Sequence, residues 1–522
     1  MSGKLIVQAT IVIAAFNLLS RLLGFVREMV IADQFGANAV TDAYLVAVTL
    51  PTIVFAILSQ ALAAVVIPVF TEYRARGETG EAWRLTATVV NLLFLLLAVV
   101  TLAGMVVAPF VVKVIAPGLA PETSRLASEL TRIVFPMLVF SGLATLFSAF
   151  LNANKIFGIP AFSGALNNIV IIASAALLGG IFGIQGLAWG TVAGMVLSAL
   201  IQLPPLWRAG FRFSLSFDWS HPGVRKALRL VVPVTLGISV TQAYFIIDRV
   251  LASLLPEGSI SALNFAYKLI QLPVSLFVLA VSTAVFPMLT QWAAEGRIGE
   301  VFGGVRRSLR VIVLMIVPAS AGLMVLRTPI VQLLFERGAF DERATFMTAA
   351  AVLFYAVGLV GFATNILLTR AFYAFQDTKT PVKLLAVNIV ANIVLSLLLM
   401  GPLLHGGLAL AASLSAFLQT VLLVYYLDRR LPGLWHYSWL LFGAKVTVAS
   451  AVLAFASYAV DQTLATSGLP AGTAGLALRV GAGIAAGVVA YLMACCALGF
   501  EEIQMLRSTS RQLMGSLRKR SL

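Results

Sequence analysis

The sequence predicts an all-α polytopic membrane protein of fourteen transmembrane helices. Two parallel six-helix repeats form two lobes around a central cavity, and two extra helices follow at the carboxyl end. Three observations carry this prediction. The 522 residues are 60% hydrophobic and only 11% charged, with a mean hydropathy of +0.99, whereas soluble domains carry about 25% charged residues. Apolar runs of about 20 residues, the length needed to cross a bilayer, recur along the whole chain. Finally, the chain resembles itself at an offset of about 220 residues.

In order, the spans are expected to begin near residues 5, 40, 84, 130, 160, 184, 228, 260, 308, 346, 382, 406, 440 and 473. The amino-terminal MSGKLIVQATIVIAAF loosely resembles a signal peptide. Its apolar run passes into charged residues without a convincing small-residue cleavage site, so it reads as a retained first span. Within that span lies FNLLSRLLGFVREM, residues 16–29. At 100° per residue, Asn17, Ser20, Arg21, Gly24, Arg27 and Glu28 fall in one sector roughly 120° wide, and apolar side chains fill the rest. The eighth span repeats the spacing with Asn264, Lys268, Gln271 and Ser275. A cationic side chain at the bilayer centre costs about 2.5–3.5 kcal/mol, so both stripes are expected to face inward, toward one cavity. Glu28 can offset one of Arg21, Arg27 and Lys268 but not all three. The cavity is therefore expected to be cationic and its substrate anionic. Arginine, whose planar fork donates two parallel hydrogen bonds, suits phosphate.

The duplication is traced by matched residues. LP at 50–51 returns at 272–273, PVFTEY from Pro68 returns as PMLTQW from Pro287, and GLA at 186 returns at 407. Gly118 matches Gly338, Pro160 matches Pro381, and Asn167 matches Asn388. An even number of spans per copy orients both copies alike, about an axis along the membrane normal. The expected divisions are an N-lobe of residues 1–215, a C-lobe of 216–435, helices thirteen and fourteen in 436–500, and a basic tail of 501–522. Lys and Arg are concentrated in alternate loops, among them Arg74, Arg76, Lys155, Arg208, Arg306, Arg307, Lys379 and Arg429. Few lie in the intervening loops: Lys113, Arg125, Arg132, Arg327, Arg337 and Arg343. By the positive-inside rule both termini are expected in the cytoplasm. The net charge of +15 then follows from attraction to an anionic inner leaflet, and no nucleic-acid motif is present.

In the eleventh span Asn388 and Asn392 are spaced i, i+4. With Asp248 of the seventh span they form a candidate cation site, and interhelical hydrogen bonding is the competing role for the two amides. Arg249, beside Asp248, matches Arg27 in the repeat register and reads as an interfacial side chain. The adjacent Cys495 and Cys496 read as packing residues. The three histidines, His221, His405 and His436, have no zinc spacing, and no Walker loop occurs. Nothing points to an enzyme or to a cofactor. Prolines 51, 68, 136, 233, 273, 287 and 318 are positions where spans could bend.

Four segments carry a family resemblance: SRLLGFVRE at 20–28, TDAYLVAVTLP at 41–51, LFERGAF at 334–340 and RAFYAFQDTKTPVK at 370–383. With these the chain resembles the MurJ (MviN) family of lipid II flippases, of the superfamily that includes MATE-type and polysaccharide-lipid exporters. The resemblance implies a carrier in the bacterial cytoplasmic membrane that moves undecaprenyl-pyrophosphate-linked peptidoglycan precursor outward by alternating access, driven by a Na+ or H+ gradient or by the membrane potential. It implies that Arg21, Arg27 and Lys268 bind substrate, that Glu28 and Asp42 fall on family acids, and that the last two spans form a groove for the lipid tail. Its implied partners are the lipid-linked glycan, membrane lipids and the cell-wall synthesis machinery. Two departures stand out: Phe55 and Ala56 occupy positions where many relatives have paired arginines, and Asn392 replaces an Asp that binds sodium in some relatives. Export of another undecaprenyl-linked glycan, or MATE-like ion-coupled transport of small molecules, is the alternative.

Overall fold

Inside a bilayer no water satisfies backbone N–H and C=O groups, so long apolar segments wind into helices that satisfy their own. In the computed structural model, which describes residues 3–218, 220, 222–431, 433, 438–467 and 472–500, every regular element is helical. His221, His436 and the basic tail beyond residue 500 lie outside the described residues. Among these residues eleven helical segments are long and apolar enough to cross a membrane, or twelve if one bent pair is a single span. The protein is a multi-pass membrane protein.

The chain divides into two compact units. The first comprises Met1–Ala262 with Phe335–Ala344, and the second Leu263–Leu334 with Thr345–Leu522. The first unit begins with α1 (Gly3–Phe35), α2 (Ala39–Ala75), α3 (Thr79–Val106), α4 (Ala108–Ile115), α5 (Pro121–Val134) and α6 (Met137–Ala153). It continues with α7 (Gly158–Phe182), α8 (Ile184–Leu200), the short α9 (Leu203–Arg208) and α10 (Pro222–Ser253). Here α1 packs on α7, α7 on α8, and α2 on α5, α6 and α10. Small residues set the close approaches: a Cβ on Gly190 of α8 would overlap the Ser174 side chain of α7, and one on Gly194 would overlap Asn167. The α5–α6 pair is the bent one, turning by 40° at Phe135–Pro136, where proline removes an N–H from the ladder and crowds the preceding turn.

The second unit takes up α11 (Ser259–Pro273) from Leu263 onward. Pro273 ends α11, and Val274–Val278 continue as a π-helical turn into α12 (Leu279–Ala294). Then follow α13 (Ile298–Val325), α14 (Arg327–Phe335), α15 (Glu342–Ala374), α16 (Lys379–Leu403), α17 (His405–Asp428), α18 (Ser438–Thr466) and α19 (Thr473–Ala497). Here α16 packs on α17, α18 on α19, and α18 also on α13. Of the seven prolines, Pro136 and Pro273 mark a break and a change of winding. Pro51, Pro68, Pro287 and Pro318 lie inside continuous helices.

Candidate functional site

The polar stripe of the first span forms a connected site on α1. Arg27 donates from Nη2 to Glu28 Oε1 at 2.6 Å and from Nη1 to Asn168 Oδ1 at 3.1 Å. Glu28 is 4% exposed, so the carboxylate that the sequence offered as a partner for one base is buried against Arg27. Asn168 of α7 completes the arrangement. Its Nδ2 donates to the Ser20 carbonyl at 3.0 Å and to the Gly164 carbonyl at 3.1 Å, and it lies over Gly24, where a Cβ would make ordinary contact at 3.7 Å. Ser20 and Arg27 are half-buried, whereas Asn17 and Arg21 are exposed. Between α2 and α8, Tyr44 and Thr191 share a buried 2.8 Å hydrogen bond. The geometry thus holds one arginine fork in a fixed, charge-compensated pose, with a second arginine exposed one and a half turns away along α1.

The second unit carries the other stripe. Asn264, Lys268 and Gln271 are half-buried on α11. Gln271 donates to the Tyr267 hydroxyl at 2.6 Å, and Tyr267 meets Tyr355 of α15 edge-on. Ser275 falls in the π-helical turn, where the helix is wound one residue wider and side chains are redirected.

Asp42 has a different setting. On the first turn of α2, 3% exposed, it accepts from the Gly258 N–H at 2.7 Å and from Ser261 N–H and Oγ at 2.8 and 2.6 Å. Its carboxylate satisfies the open amides at the start of α11, which a helix amino terminus otherwise leaves unpaired. Beside it, Gly338 of the LFERGAF segment has φ of 56° and packs where a Cβ would overlap the Asp33 carbonyl. The next amide, Ala339 N–H, donates to that same carbonyl at 2.7 Å. Phe335 and Phe340, both buried, meet with their rings tilted and their centroids 5.8 Å apart.

The RAFYAFQDTKTPVK segment is a turn of the second unit. Asp377 accepts from Thr380 N–H and Oγ1 at 3.0 and 2.8 Å and pairs with Arg430 at 2.7 Å. Desolvation raises this carboxyl, but the Thr380 hydrogen bonds and the Arg430 charge outweigh it and hold Asp377 below its ordinary value.

Of the candidate cation ligands, Asp248 is half-buried on α10, and Asn388 and Asn392 are buried on α16. The Asn388 amide donates to the Ser415 carbonyl of α17 at 2.7 Å, which is the helix-to-helix role. Among the described residues no three His, Cys, Asp or Glu side chains gather as a metal site. Sequence reading missed Asn168. Its only signal was the intramembrane Asn-Asn pair at 167–168, of which the repeat register selected the first.

A helical, multi-pass membrane chain with polar and charged side chains gathered on one face of α1 and of α11 has the make-up of a membrane carrier. More particularly, this chain belongs to the MurJ family, whose model, described as lipid II flippase MurJ, matches residues 31–501. It is 34% identical over 459 residues to the lipid II flippase MurJ of Burkholderia cenocepacia, covering 86% of this chain and 88% of that protein. A solved lipid II flippase MurJ in an inward closed conformation superimposes with a TM-score of 0.78 at 23% identity, over 93% of this chain and 98% of that one. An inward-facing multidrug resistance MATE family transporter of the MOP superfamily shares the fold at a TM-score of 0.67 and 14% identity, over 81% of this chain and 98% of that one.

Proposed function

We propose that this protein is a flippase for lipid II, carrying the undecaprenyl-pyrophosphate-linked peptidoglycan precursor from the inner to the outer leaflet of the cytoplasmic membrane by alternating access. The observation that carries the reading is the family match over residues 31–501. It agrees with the intramembrane bases Arg21, Arg27 and Lys268, which suit a substrate whose polar end is a pyrophosphate. Conditional depletion should make this lipid accumulate in the inner leaflet. Accumulation of a different undecaprenyl-linked glycan would assign the alternative cargo.

The fourteen-span, duplicated architecture is part of the same proposal. Helices α1 and α10, 33 and 32 residues long, supply two spans beyond the twelve, and they are in register in the repeat. Other elements in register agree in detail. Both α3 and α13 have 28 residues, and both α7 and α16 have 25. The breaks after α7 and α16 adopt one backbone conformation, φ 58° and ψ −145° at Gly183, φ 50° and ψ −134° at Leu404. Left-handed φ is costly for a leucine, so its retention at that position favours common ancestry over chance. Gly186 and Gly407 then each press against a carbonyl of the preceding helix, those of Leu178 and Leu399. The ancestral boundary near residue 216 differs from the packing boundary, because α10 is grouped with the first unit.

Both termini are assigned to the cytoplasm. In a chain with Cys495 and Cys496 replaced, a cysteine introduced near Arg306 should react with an impermeant thiol reagent only from the cytoplasmic side, and one at Gly183 only from outside. Labelling at Gly183 from the cytoplasm alone would invert the topology.

A further inference from the structure

A second polar site lies in the second unit, away from both charged stripes. Near the carboxyl end of α18 and the start of α19, Arg479 binds Asp461 through both carboxylate oxygens, with Nη2 to Oδ2 at 2.9 Å. Asp461 is 4% exposed. The pair borders a cavity of ≈ 400 Å³, whose polar lining also includes Arg327, Gln332, Tyr458 and Gln462. Arg327, the first residue of α14, gives one N–H to the Met324 carbonyl at 2.6 Å. Among the described residues no carboxylate pairs with it. Since Asp461 and Arg479 compensate each other, the cavity keeps the single positive charge of Arg327.

We propose that this cavity binds the phosphate of an anionic phospholipid headgroup. The charge and donors match a phosphate diester: a guanidinium with N–H groups to spare, two primary amides and a phenol. The depth matches as well, because the cavity sits at the ends of membrane-crossing helices. Tyr458 in its wall and Leu478, next to Arg479, are exposed at 53% and 55%, and Met324, Val325 and Leu353 add an apolar part to the lining. Aromatic side chains at helix ends mark the interface between headgroups and acyl chains. A soluble anion would use the charge but not this apolar rim. A lipid uses both, and would tie α18 and α19 to α14 from the solvent side. The Asp461–Arg479 pair has a positioning role, holding the Arg479 fork at the cavity wall.

The test uses full-length purified protein in detergent and native mass spectrometry, with dioleoylphosphatidylglycerol, dioleoylphosphatidylcholine and inorganic phosphate as probes. The wild-type chain should retain phosphatidylglycerol in preference to phosphatidylcholine, and phosphate should not displace it. Arg327→Gln should bind one tightly held phosphatidylglycerol fewer, with affinity at that site down by about tenfold or more, while Arg327→Lys keeps most of it. Gln462→Glu, at an exposed rim position, leaves Arg327 in place and should weaken the same lipid by adding a like charge. It provides the answer should Arg327→Gln fail to fold. Equal phosphatidylglycerol retention by wild type and either variant would overturn the site. Displacement by millimolar phosphate would overturn the lipid as its occupant.

Discussion

Arg27→Ala is expected to abolish transport, and adding Glu28→Gln to the same chain is not expected to restore it. The pair of variants is needed because Arg27 has two jobs in this proposal. It compensates a carboxylate that is 4% exposed, at 2.6 Å, and breaking such a pair by removing one partner typically costs about 3–5 kcal/mol. It is also assigned to the substrate pyrophosphate, where the loss of a charged hydrogen bond costs about 1.5–3 kcal/mol, roughly tenfold to a hundredfold in affinity. If Arg27 served only to neutralise Glu28, removing both charges would remove the problem, and the double variant would support growth as the sole copy. Arg27→Lys should also fail, because it keeps the charge but cannot hold Glu28 and Asn168 at once with a planar fork. Arg21→Ala and Lys268→Ala should reach the membrane at normal levels and fail in the same assay. Normal growth on all three Ala variants would reject the assignment of these bases to substrate.

The class of fold was legible because lipid imposes a simple code: about 20 apolar residues, charge biased to one side. The stripe on α1 was legible for a related reason, since helical period alone puts Arg21, Arg27 and Glu28 on one face. What the period cannot give is the neighbour that meets that face. Asn168 lies 141 positions from Arg27, and nothing local in α7 distinguishes it from Asn167. Asp42 shows the same limit more sharply. Its acid was visible in the sequence, but its partners at Gly258 and Ser261 lie more than 200 positions away, so the cap it forms on α11 could only be read from the fold. The prolines divide on physical grounds. Pro136 sits where two short helices meet and breaks the span, whereas Pro51 and Pro68 lie within one 37-residue helix that continues through them.

A chain ending at residue 436 should insert and fold as a twelve-span core yet lose most of its transport. The cost to folding is expected to be modest because of what α18 and α19 touch. Phe442, Val446, Ala449 and Leu453 pack against Val313, Leu314 and Val317 of α13, and lipid tails can replace such apolar contacts, since helices in a bilayer gain little from hiding apolar surface. Polar contacts are lost as well, among them Arg306 to Ser438 at 3.0 Å, Tyr491 to the Leu314 carbonyl at 2.7 Å, and Arg310 over the Trp439 and Phe442 rings at 5.9 and 5.1 Å. The Leu314 contact is the costlier one, because Pro318, four residues on, has no N–H to close the intrahelical bond and Tyr491 is what satisfies that carbonyl. The two arginines lie in the first half of α13 and can extend toward the headgroups. The cost to transport should be large, because α18 and α19 expose large apolar side chains, including Val448, Phe455, Val489 and Met493 at 54%, 75%, 54% and 62%, that we assign to the long isoprenoid tail. Without it the pyrophosphate would have to enter with its tail unsupported. The measurement is growth with the shortened chain as the sole copy, alongside its membrane level and thermal stability. Full transport by a well-expressed chain ending at residue 436 would reject the tail-binding role. A shortened chain that is degraded would show instead that α13 depends on α18 for its own stability.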